Sequence, residues 1–411
     1  MKFTATLCSL AGLLGLALAA VPIANDGISA DVVVPDKFII KYKTNVDAAR
    51  KKKHQNDLTA KAKKKNKKGV TDTIDIAGLS GYIAELSPSE LNDIKNSDII
   101  EYIEKDSVVN VTGIAVSPEE QLQKRAYTTQ SHAEWGLSRI SRRARLGASS
   151  YYFDTTAGQN VRVYVVDTGV RTTHTEFEGR ATWGANFIAG SPNTDEYGHG
   201  THVAGTVAGK TYGVAKKAKI IAVKVLDKNG SGTMSGLILG LNWAVTNAKA
   251  AGVAKKAVVN MSLGGGYTAS VNAAVKAATD AGLTVVVSAG NSNANSAGYS
   301  PASAPSAITV GCSGPTDYRS EFSNFGNLVD IFAPGEGTLS AYHTSNTASY
   351  YMAGTSMAAP HVAGLAAYFI AKENLSGSVA VTNRILGVAS TGYIRDPQGS
   401  WNRLAYNANG L

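Results

Sequence analysis

From residue 135 onward, short apolar runs rich in β-branched residues alternate with longer stretches that carry small and apolar residues at helical spacing. Near-continuous apolar strands joined by helices are typical of a parallel sheet covered by helices on both faces. We therefore expect an α/β domain in this part of the chain. Strands are predicted at 161–166, 219–226, 257–261, 284–288 and 307–310, and helices at 201–208, 235–249, 270–281 and 357–371.

The preceding region, residues 21–125, has a different pattern and reads as a separate small domain. Ser87-Pro88-Ser89-Glu90 is a capping box with proline at the first helical position, so a helix should start there. Strands alternating with helices over about a hundred residues indicate a compact α+β unit of ferredoxin-like type. Further strands are predicted at 37–43, 82–86, 99–104 and 108–111, and a charged helix at 47–65.

The first twenty residues have the pattern of a secretory signal peptide. Lys2 precedes an apolar run at 7–20, which is too short to cross a bilayer and ends in small residues. Cleavage is expected near Ala19 or Ala20. The chain does not close on a hydrophobic tail, so we expect a free, extracellular product.

Cysteine content and charge narrow the picture further. Of the two cysteines, Cys8 leaves with the signal peptide and Cys312 then lacks a partner, so we expect a small buried thiol. The formal charge is +9, and residues 126–411 contribute 22 basic and 15 acidic residues. No basic stripe is interleaved with aromatic residues, so a nucleic-acid partner is not expected. The lysine runs at 50–53 and 61–68 are interpreted as a solvated face, with a polyanion-binding patch as the alternative.

The candidate nucleophile is Ser356, in the segment Gly354-Thr355-Ser356-Met357-Ala358-Ala359-Pro360-His361. Proline is tolerated in the first turn of a helix, so Pro360 predicts that a helix starts close to Ser356. The serine hydroxyl would then lie at the positive end of the helix dipole. A serine needs a base and an orienting acid to act as a nucleophile.

Two upstream segments supply such groups. Asp167 follows the apolar run at 161–166, and His199 lies in Gly198-His199-Gly200-Thr201-His202 at the start of a predicted helix. Taken one at a time, such residues are more often caps or surface residues. The order Asp, His, Ser, each in its own motif, resembles the subtilisin superfamily of serine proteases, and within it the proteinase K-like subtilases. The resemblance covers residues 135–411. In its basic charge and its lack of disulfides, the mature part of the chain is similar to the cuticle-degrading proteases of nematode-trapping fungi.

The resemblance implies a set of roles. Ser356 would attack the peptide carbonyl, His199 would transfer the proton, Asp167 would orient the histidine, and Asn291 would donate to the oxyanion. Two glycine-bearing segments without carboxylates would bind the substrate as an extended strand, which implies cleavage after apolar or aromatic residues. Residues 21–125 would be the inhibitory propeptide, so the protein would be made as a zymogen. The segments contain Gly230, Ser231, Gly232, Ser262, Leu263 and Gly264.

The resemblance also implies a structural calcium ion, bound by the Asp330 carboxylate and the carbonyls of Pro305 and Ala307, with water completing the shell. The dibasic pair before Ala126 places the mature start after Arg125. An apolar pocket would cut poorly there, so either a second protease acts or self-cleavage occurs nearby and trimming follows. Of the glycosylation sequons, Asn374 is the plausible mature site, and the mature enzyme is expected to be a monomer.

Three other functions compete with this interpretation. A zinc hydrolase could use His199 and His202, three residues apart, but the glutamate expected between such ligands is missing, and we interpret His202 and His361 as structural. A dibasic-specific processing protease would need acidic residues in its pocket. A binding protein on the same fold would usually have lost one of the three motif residues.

Overall fold

The computed structural model describes residues 20–76, 78–112, 114–115, 129–144 and 149–410. The predicted signal peptide, apart from residue 20, and the predicted boundary at Arg125 and Ala126 lie outside these residues. No helix in the described ranges is long and apolar enough to cross a membrane.

The N-terminal domain is a four-stranded antiparallel sheet with two helices. The sheet order is β2-β3-β1-β4, which is the ferredoxin-like arrangement that the sequence predicts. The capping box forms as expected, with the Ser87 backbone N–H donating to Glu90 at 3.0 Å. Its elements are β1 (Val33–Tyr42), α1 (Ala48–Lys63), β2 (Gly69–Ile76), β3 (Leu79–Glu85), α2 (Pro88–Lys95) and β4 (Ile100–Val111). A short strand, β5 (Ile114–Ala115), lies beyond β4 and pairs with a strand of the C-terminal domain.

Two details of this domain differ from the sequence prediction. Strand β2 was not expected, because most of its central residues are polar and exposed. The two strands predicted at 99–104 and 108–111 form one continuous strand, β4. The continuity matters because the first half of β4 pairs with β1, whereas its second half leaves the domain and pairs with strands of the C-terminal domain.

The C-terminal domain is built on a nine-stranded sheet of order β20-β21-β17-β16-β14-β12-β8-β10-β9, in which every pairing except that of β20 with β21 is parallel. Its strands are β6 (Thr129–Ser131), β7 (Ser150–Tyr152), β8 (Arg162–Asp167), β9 (Ala181–Asn186), β10 (Lys219–Lys224), β11 (Ser231–Thr233), β12 (Ala257–Met261), β13 (Leu263–Gly266), β14 (Thr284–Ser288), β15 (Tyr299–Ser300), β16 (Ile308–Ser313), β17 (Ile331–Pro334), β18 (Thr338–Ala341), β19 (Ser349–Ala353), β20 (Ser390–Thr391) and β21 (Arg403–Leu404).

Helices cover both faces of this sheet, as predicted. Along β8, Val163 and Val165 pack into the cluster that contains α4 and α7, while Tyr164 and Val166 pack into the cluster on the opposite face with α5 and α6. This alternation follows from the two-residue repeat of a strand. The helices are α3 (Trp135–Ile140), α4 (His199–Ala208), α5 (Met234–Ala250), α6 (Ala269–Asp280), α7 (Thr355–Glu373) and α8 (Ser378–Val388).

Helix α7 begins at Thr355, close to the predicted position, but Pro360 lies in its second turn rather than its first. Because proline has no N–H, the carbonyl of Ser356 lacks the helical donor four residues ahead. The hydroxyl of Ser262 supplies the missing hydrogen bond, donating to the Ser356 carbonyl oxygen at 2.9 Å. The proline therefore allows a link between α7 and the segment before β13.

Candidate active site

Asp167 and His199 are brought together by the carboxyl end of β8 and the first residue of α4. Their side chains are fully buried, and His199 Nδ1 lies 2.7 Å from Asp167 Oδ1. The same carboxylate oxygen accepts the backbone N–H of Thr168 at 2.7 Å. Gly200 permits the close approach, since a Cβ atom there would lie 2.0 Å from the carbonyl oxygen of Gly169.

Asp195, which the sequence analysis did not single out, fixes the positions of both elements. Its carboxylate accepts the hydroxyl of Thr168 at 2.8 Å and both the N–H and the hydroxyl of Thr201, at 2.8 and 2.6 Å. Thr168 follows Asp167, and Thr201 lies in the first turn of α4. An aspartate just before a helix is an ordinary helix-start signal, and this one signal could have drawn attention to Asp195.

Ser356 is buried in the first turn of α7 and is doubly linked to Ser262. Its hydroxyl donates to the Ser262 carbonyl oxygen at 3.0 Å, which complements the bond from the Ser262 hydroxyl to the Ser356 carbonyl. Among the described residues, His199 Nε2 has no hydrogen-bond partner. The hydroxyl of Ser356 is thus held by groups other than the imidazole.

One of those groups belongs to the N-terminal domain. Thr112 Oγ1 lies 2.6 Å from Ser356 Oγ and 2.7 Å from Ser288 Oγ. The Thr112 carbonyl oxygen accepts the Ser356 backbone N–H at 3.2 Å and a second hydrogen bond from the Asn291 side-chain amide. Two donors therefore converge on one carbonyl oxygen, next to a serine hydroxyl.

The segment leading to Thr112 lies between two strands of the C-terminal domain. β4 pairs in antiparallel fashion with β11 on one side, where Ser231 faces Asn110 and Gly232 faces Val109. On the other side it pairs with β13, where Leu263 faces Val111 and Gly264 faces Asn110. The Gly230 carbonyl accepts the N–H of Val111 at 3.1 Å. Of the predicted binding residues, Ser262 alone contacts Ser356 instead of this strand.

A cavity of about 310 Å³ opens beside Thr112. Most of its lining residues are glycine, alanine or serine, so they leave room for a side chain larger than that of threonine. Among the described residues no carboxylate lines it, which agrees with the expectation that the pocket does not hold a basic residue. Its lining includes Gly264, Gly265, Gly266, Ala289, Gly290 and Ala302.

Two buried carboxylates of β4 cap helices of the C-terminal domain. Glu104 accepts the backbone N–H groups of Ala269 and Ser270, at 2.8 and 2.9 Å, at the start of α6. Asp106 accepts the N–H and the hydroxyl of Ser235 at the start of α5, at 3.0 and 2.6 Å. Negative charge is favourable at a helix N-terminus, so these contacts stabilise the association of the two domains.

The other two histidines near the site are held by backbone carbonyls. His202 Nε2 lies 3.0 Å from the carbonyl oxygens of both Thr338 and Tyr350, and burial lowers its pKa to about 3. His361 Nδ1 lies 2.8 Å from the Met357 carbonyl oxygen, and burial lowers its pKa to about 4. Each is engaged within the core, as the sequence analysis expects of structural residues.

The residues predicted to bind calcium lie just before two neighbouring strands of the sheet. Asp330 precedes β17 and accepts the Thr309 backbone N–H at 2.9 Å, while Pro305 and Ala307 precede the neighbouring β16. Burial raises the pKa of Asp330 to about 6, and this residue forms no salt bridge within the described ranges. A partly buried carboxylate fits the oxygen ligands of calcium.

The asparagines of the glycosylation sequons and Cys312 lie at positions of different exposure. Asn374 is exposed at the end of α7 and its side-chain oxygen accepts a hydrogen bond from Lys256. The sequon residue Asn260 is fully buried in β12, and Asn110 lies on β4. Cys312 is a free, fully buried thiol whose pKa is raised by that burial.

Comparisons with known proteins agree with this architecture. The model of the subtilase family matches residues 158–399, and the model of the peptidase inhibitor I9 family matches residues 37–112. The chain is 44% identical to Subtilisin-like protease 2 of Pseudogymnoascus destructans, with the whole of both chains covered. It is 43% identical to the Cuticle-degrading protease of Metarhizium anisopliae, over 92% of this chain and 91% of that protein.

Among solved structures, a cold adapted subtilisin-like serine proteinase matches with a TM-score of 0.64 and 42% identity, covering 67% of this chain and 98% of that one. The fold, the order of the motifs and these matches agree over most of the chain. The protein is therefore a serine protease of the subtilase family, preceded by an inhibitor I9 propeptide domain.

Proposed function

We propose that this protein is a secreted serine endopeptidase that hydrolyses extracellular proteins after apolar and aromatic residues, by means of Asp167, His199 and Ser356. The observation that carries the proposal is the position of Thr112. Its carbonyl oxygen receives hydrogen bonds from the Ser356 N–H and the Asn291 amide, next to the Ser356 hydroxyl. Two donors converging on a carbonyl oxygen are what an oxyanion hole requires.

In this mechanism Ser356 Oγ attacks the substrate carbonyl carbon while His199 Nε2 takes up the hydroxyl proton. Asp167 accepts the Nδ1–H of His199, keeps the proton off Nε2 in the resting state and stabilises the imidazolium. The negative oxygen is bound by the Ser356 N–H and Asn291. The imidazolium then protonates the leaving amine, and water hydrolyses the acyl-enzyme by the same steps in reverse.

The proposed specificity rests on the pocket and on the two flanking strands. A substrate would replace β4 between β11 and β13, donating and accepting main-chain hydrogen bonds on both sides. Because the described residues that line the pocket are mostly small and include no carboxylate, an apolar or aromatic side chain would gain the most from entering it. The contacts would come from the predicted Gly230, Ser231, Gly232, Leu263 and Gly264, with Ser262 holding the nucleophile.

The proposed life cycle starts from the predicted signal peptide of residues 1–20, followed by the propeptide of residues 21–125 and the mature enzyme of residues 126–411. The propeptide would inhibit the mature domain, since β4 fills the substrate cleft. The mature enzyme would act as a monomer, with Asn374 as its glycosylation site. No nucleic-acid or membrane partner is proposed.

A structural calcium ion belongs to the same proposal. Asp330 and the carbonyls of Pro305 and Ala307 would hold it, and the ion would neutralise a partly buried carboxylate that has no salt-bridge partner in the described ranges. Its contribution would be to stability rather than to catalysis. Melting temperatures of the Ser356→Ala protein with calcium and with a chelator test this, and equal values would refute it.

The function is tested by profiling the purified mature protein on a mixed peptide library, with Ser356→Ala as the blank. Cuts after apolar and aromatic residues that are absent from the blank are expected. Cuts after paired basic residues would show that the pocket is assigned wrongly. Equal activity in the blank would show that Ser356 is not the nucleophile.

A further inference from the structure

A small second sheet, of order β18-β19-β5, leads into the turn that carries the catalytic serine. β19 ends three residues before Ser356 in the sequence, and its outer edge pairs with β5 in antiparallel fashion. The residues of β5 are the second and third after Thr112, whose carbonyl is held by the two oxyanion donors. The two pairs are Ile114 with Ala353 and Ala115 with Met352.

The register of this pairing extends to two tyrosines of β19. In an antiparallel ladder, each step forward along one strand is a step back along the other. A substrate in the place of β5 would therefore set its fourth residue after the cut opposite Tyr351 and its fifth opposite Tyr350. Directly opposed residues have their side chains on the same face of a sheet, with Cβ atoms about 5 Å apart.

Tyr350 is exposed on β19, with 41% of its surface accessible, and one side of its ring is already covered. The Tyr342 ring stacks on it, with the ring centroids 4.8 Å apart and the planes at 27°. Tyr342 follows β18 and extends the ladder with β19, since its backbone N–H donates to the Ala348 carbonyl at 2.8 Å. Because β19 lies between β18 and β5, the side of the Tyr350 ring that Tyr342 leaves free is the side toward the place of β5.

Both tyrosines are held in place by groups next to the catalytic histidine. The Tyr342 hydroxyl donates to the Tyr197 carbonyl at 3.3 Å, and a Cβ atom at Gly198 would collide with the Tyr342 ring. The Tyr350 carbonyl oxygen lies 3.0 Å from His202 Nε2. An aromatic surface that is already ordered loses little conformational entropy when it binds a ligand.

We infer that β19 and Tyr350 bind the leaving-group side of the substrate, with a preference for an aromatic residue at the fifth position after the cut. This inference rests on the proposed function, because substrate positions are counted from the carbonyl held at Ser356 and Asn291. The substrate would add to β18 and β19 as a third strand in the place of β5. The ring of its fifth residue would pack on Tyr350 opposite Tyr342, because aromatic pairs across a ladder attract one another.

Such a site acts only while the leaving group is still attached to the substrate. Once Ser356 holds the acyl group, the residues after the cut depart with the new amine. An aromatic fifth residue should therefore raise kcat/KM for peptides, whereas a substrate without residues after the cut should not sense Tyr350. This difference separates a role in specificity from a general role in the stability of β19.

The experiment uses the mature enzyme released from the full-length precursor and quenched fluorescent peptides that share one cut site, with the cut position checked by mass spectrometry. The fifth residue after the cut is alanine, phenylalanine or lysine. A fourth peptide carries phenylalanine at the fourth position, and a peptide anilide has no residue after the cut. We expect kcat/KM with phenylalanine at the fifth position to exceed that with alanine by about 3–10-fold.

Tyr350→Ala should bring this ratio to about 1, and Tyr350→Phe should keep it, because the ring and not the hydroxyl makes the contact. Tyr393→Ala is the matched control and should keep the ratio, since Tyr393 is 38% exposed and lies between β20 and β21. Phenylalanine at the fourth position points to the opposite face of the strand, so its effect should not depend on Tyr350. Every variant should cleave the anilide as the wild type does, which shows that it is folded.

A wild-type ratio of one would overturn the inference without recourse to any variant. Persistence of the ratio in Tyr350→Ala would also overturn it, and so would faster cleavage with lysine than with phenylalanine, since the ring would then recognise a cation. In each of these cases, cleavage of the anilide leaves the proposed function standing. Failure to cleave any substrate, or equal cleavage by Ser356→Ala, would refute the proposed function and this inference together.

Discussion

Asn291 and Thr355 are joined by two hydrogen bonds: the Asn291 side-chain oxygen accepts both the backbone N–H of Thr355, at 3.0 Å, and its hydroxyl, at 2.8 Å. Because both partners are donors, the oxygen of the Asn291 amide must face Thr355. The amide nitrogen is therefore turned toward the carbonyl oxygen of Thr112. The donor is oriented before any substrate arrives, and this is the condition under which a hydrogen bond lowers a barrier most effectively.

Replacement of Asn291 by alanine should lower kcat by about 10²–10³-fold and leave KM nearly unchanged, which is the size of effect found for such a donor in a subtilisin. Steady-state kinetics on one peptide substrate measure this. Asn327→Ala is the control, because Asn327 is exposed. If KM rises by the same factor and kcat stays unchanged, Asn291 contributes to binding of the substrate in its ground state and not to stabilisation of the transition state.

Gly264→Val should narrow the pocket. A Cβ atom at Gly264 would lie 3.4 Å from the Ser300 carbonyl and 3.9 Å from the Thr112 side chain, so valine would project into the cavity without displacing the backbone. We expect the ratio of kcat/KM for phenylalanine over alanine at the cleavage position to fall by about 10–200-fold. Gly387→Val is the control, because Gly387 lies on the exposed side of α8, away from the cavity, and a Cβ there meets nothing within 4 Å. An unchanged ratio would refute the assignment of the pocket.

In the Ser356→Ala precursor, Glu104→Gln should destabilise the protein by about 1–2 kcal/mol, because a buried charged cap is lost at the start of α6. Urea unfolding measures the loss. Glu101→Gln on the same strand is the matched control: Glu101 is exposed and forms a salt bridge with Lys41. Equal effects from both substitutions would contradict a specific capping role.

Glu134 should make stability depend on pH. Burial raises the pKa of Glu134 to about 7, although the N–H groups of Gly136 and Leu339 oppose the shift. A raised pKa in the folded state contributes stability below the unfolded value near 4.5, and this contribution is lost as the pH rises through 7. In the Ser356→Ala background, Glu134→Gln should therefore become relatively stabilising between pH 5 and pH 8, by on the order of 2 kcal/mol.

Thermal unfolding at several pH values checks this prediction. Glu321→Gln, at an exposed position, should keep a constant difference from the parent across the range. A pH-independent difference for Glu134→Gln would show that its carboxyl group titrates normally in the folded protein.

The sequence was sufficient for the fold and for singling out Asp167, His199 and Ser356 as candidates, because each of them lies at the end of an element with a clear pattern. Asp167 ends an apolar strand, and His199 and Ser356 open helices. Strand β2 was missed because its central residues are polar and exposed, and its buried Ile74 and Ile76 join the apolar cluster that contains residues of α5 in the other domain. Pro360 was placed one turn too early. The sequence around it does not indicate that the Ser262 hydroxyl replaces the N–H that proline lacks as the donor to the Ser356 carbonyl.

The seating of Thr112 could not have been predicted in the same way. It depends on a contact between residues 244 positions apart and on the length of β4, which decides which residue reaches Ser356. The register of β4 against β11 and β13 brings Thr112 to that serine, and no local sequence pattern predicts this register.

The brevity of β11 and β13 has a consequence for the enzyme after β4 has left. Removal of the propeptide turns both into sheet edges with unpaired backbone groups, and exposed edges are templates for aggregation. These edges comprise only three and four residues, several of them glycine, which has low strand propensity. The strands that bind a substrate in the cleft are therefore too short to promote aggregation by pairing with strands of other enzyme molecules. The mature protein can remain colloidally stable at high concentration.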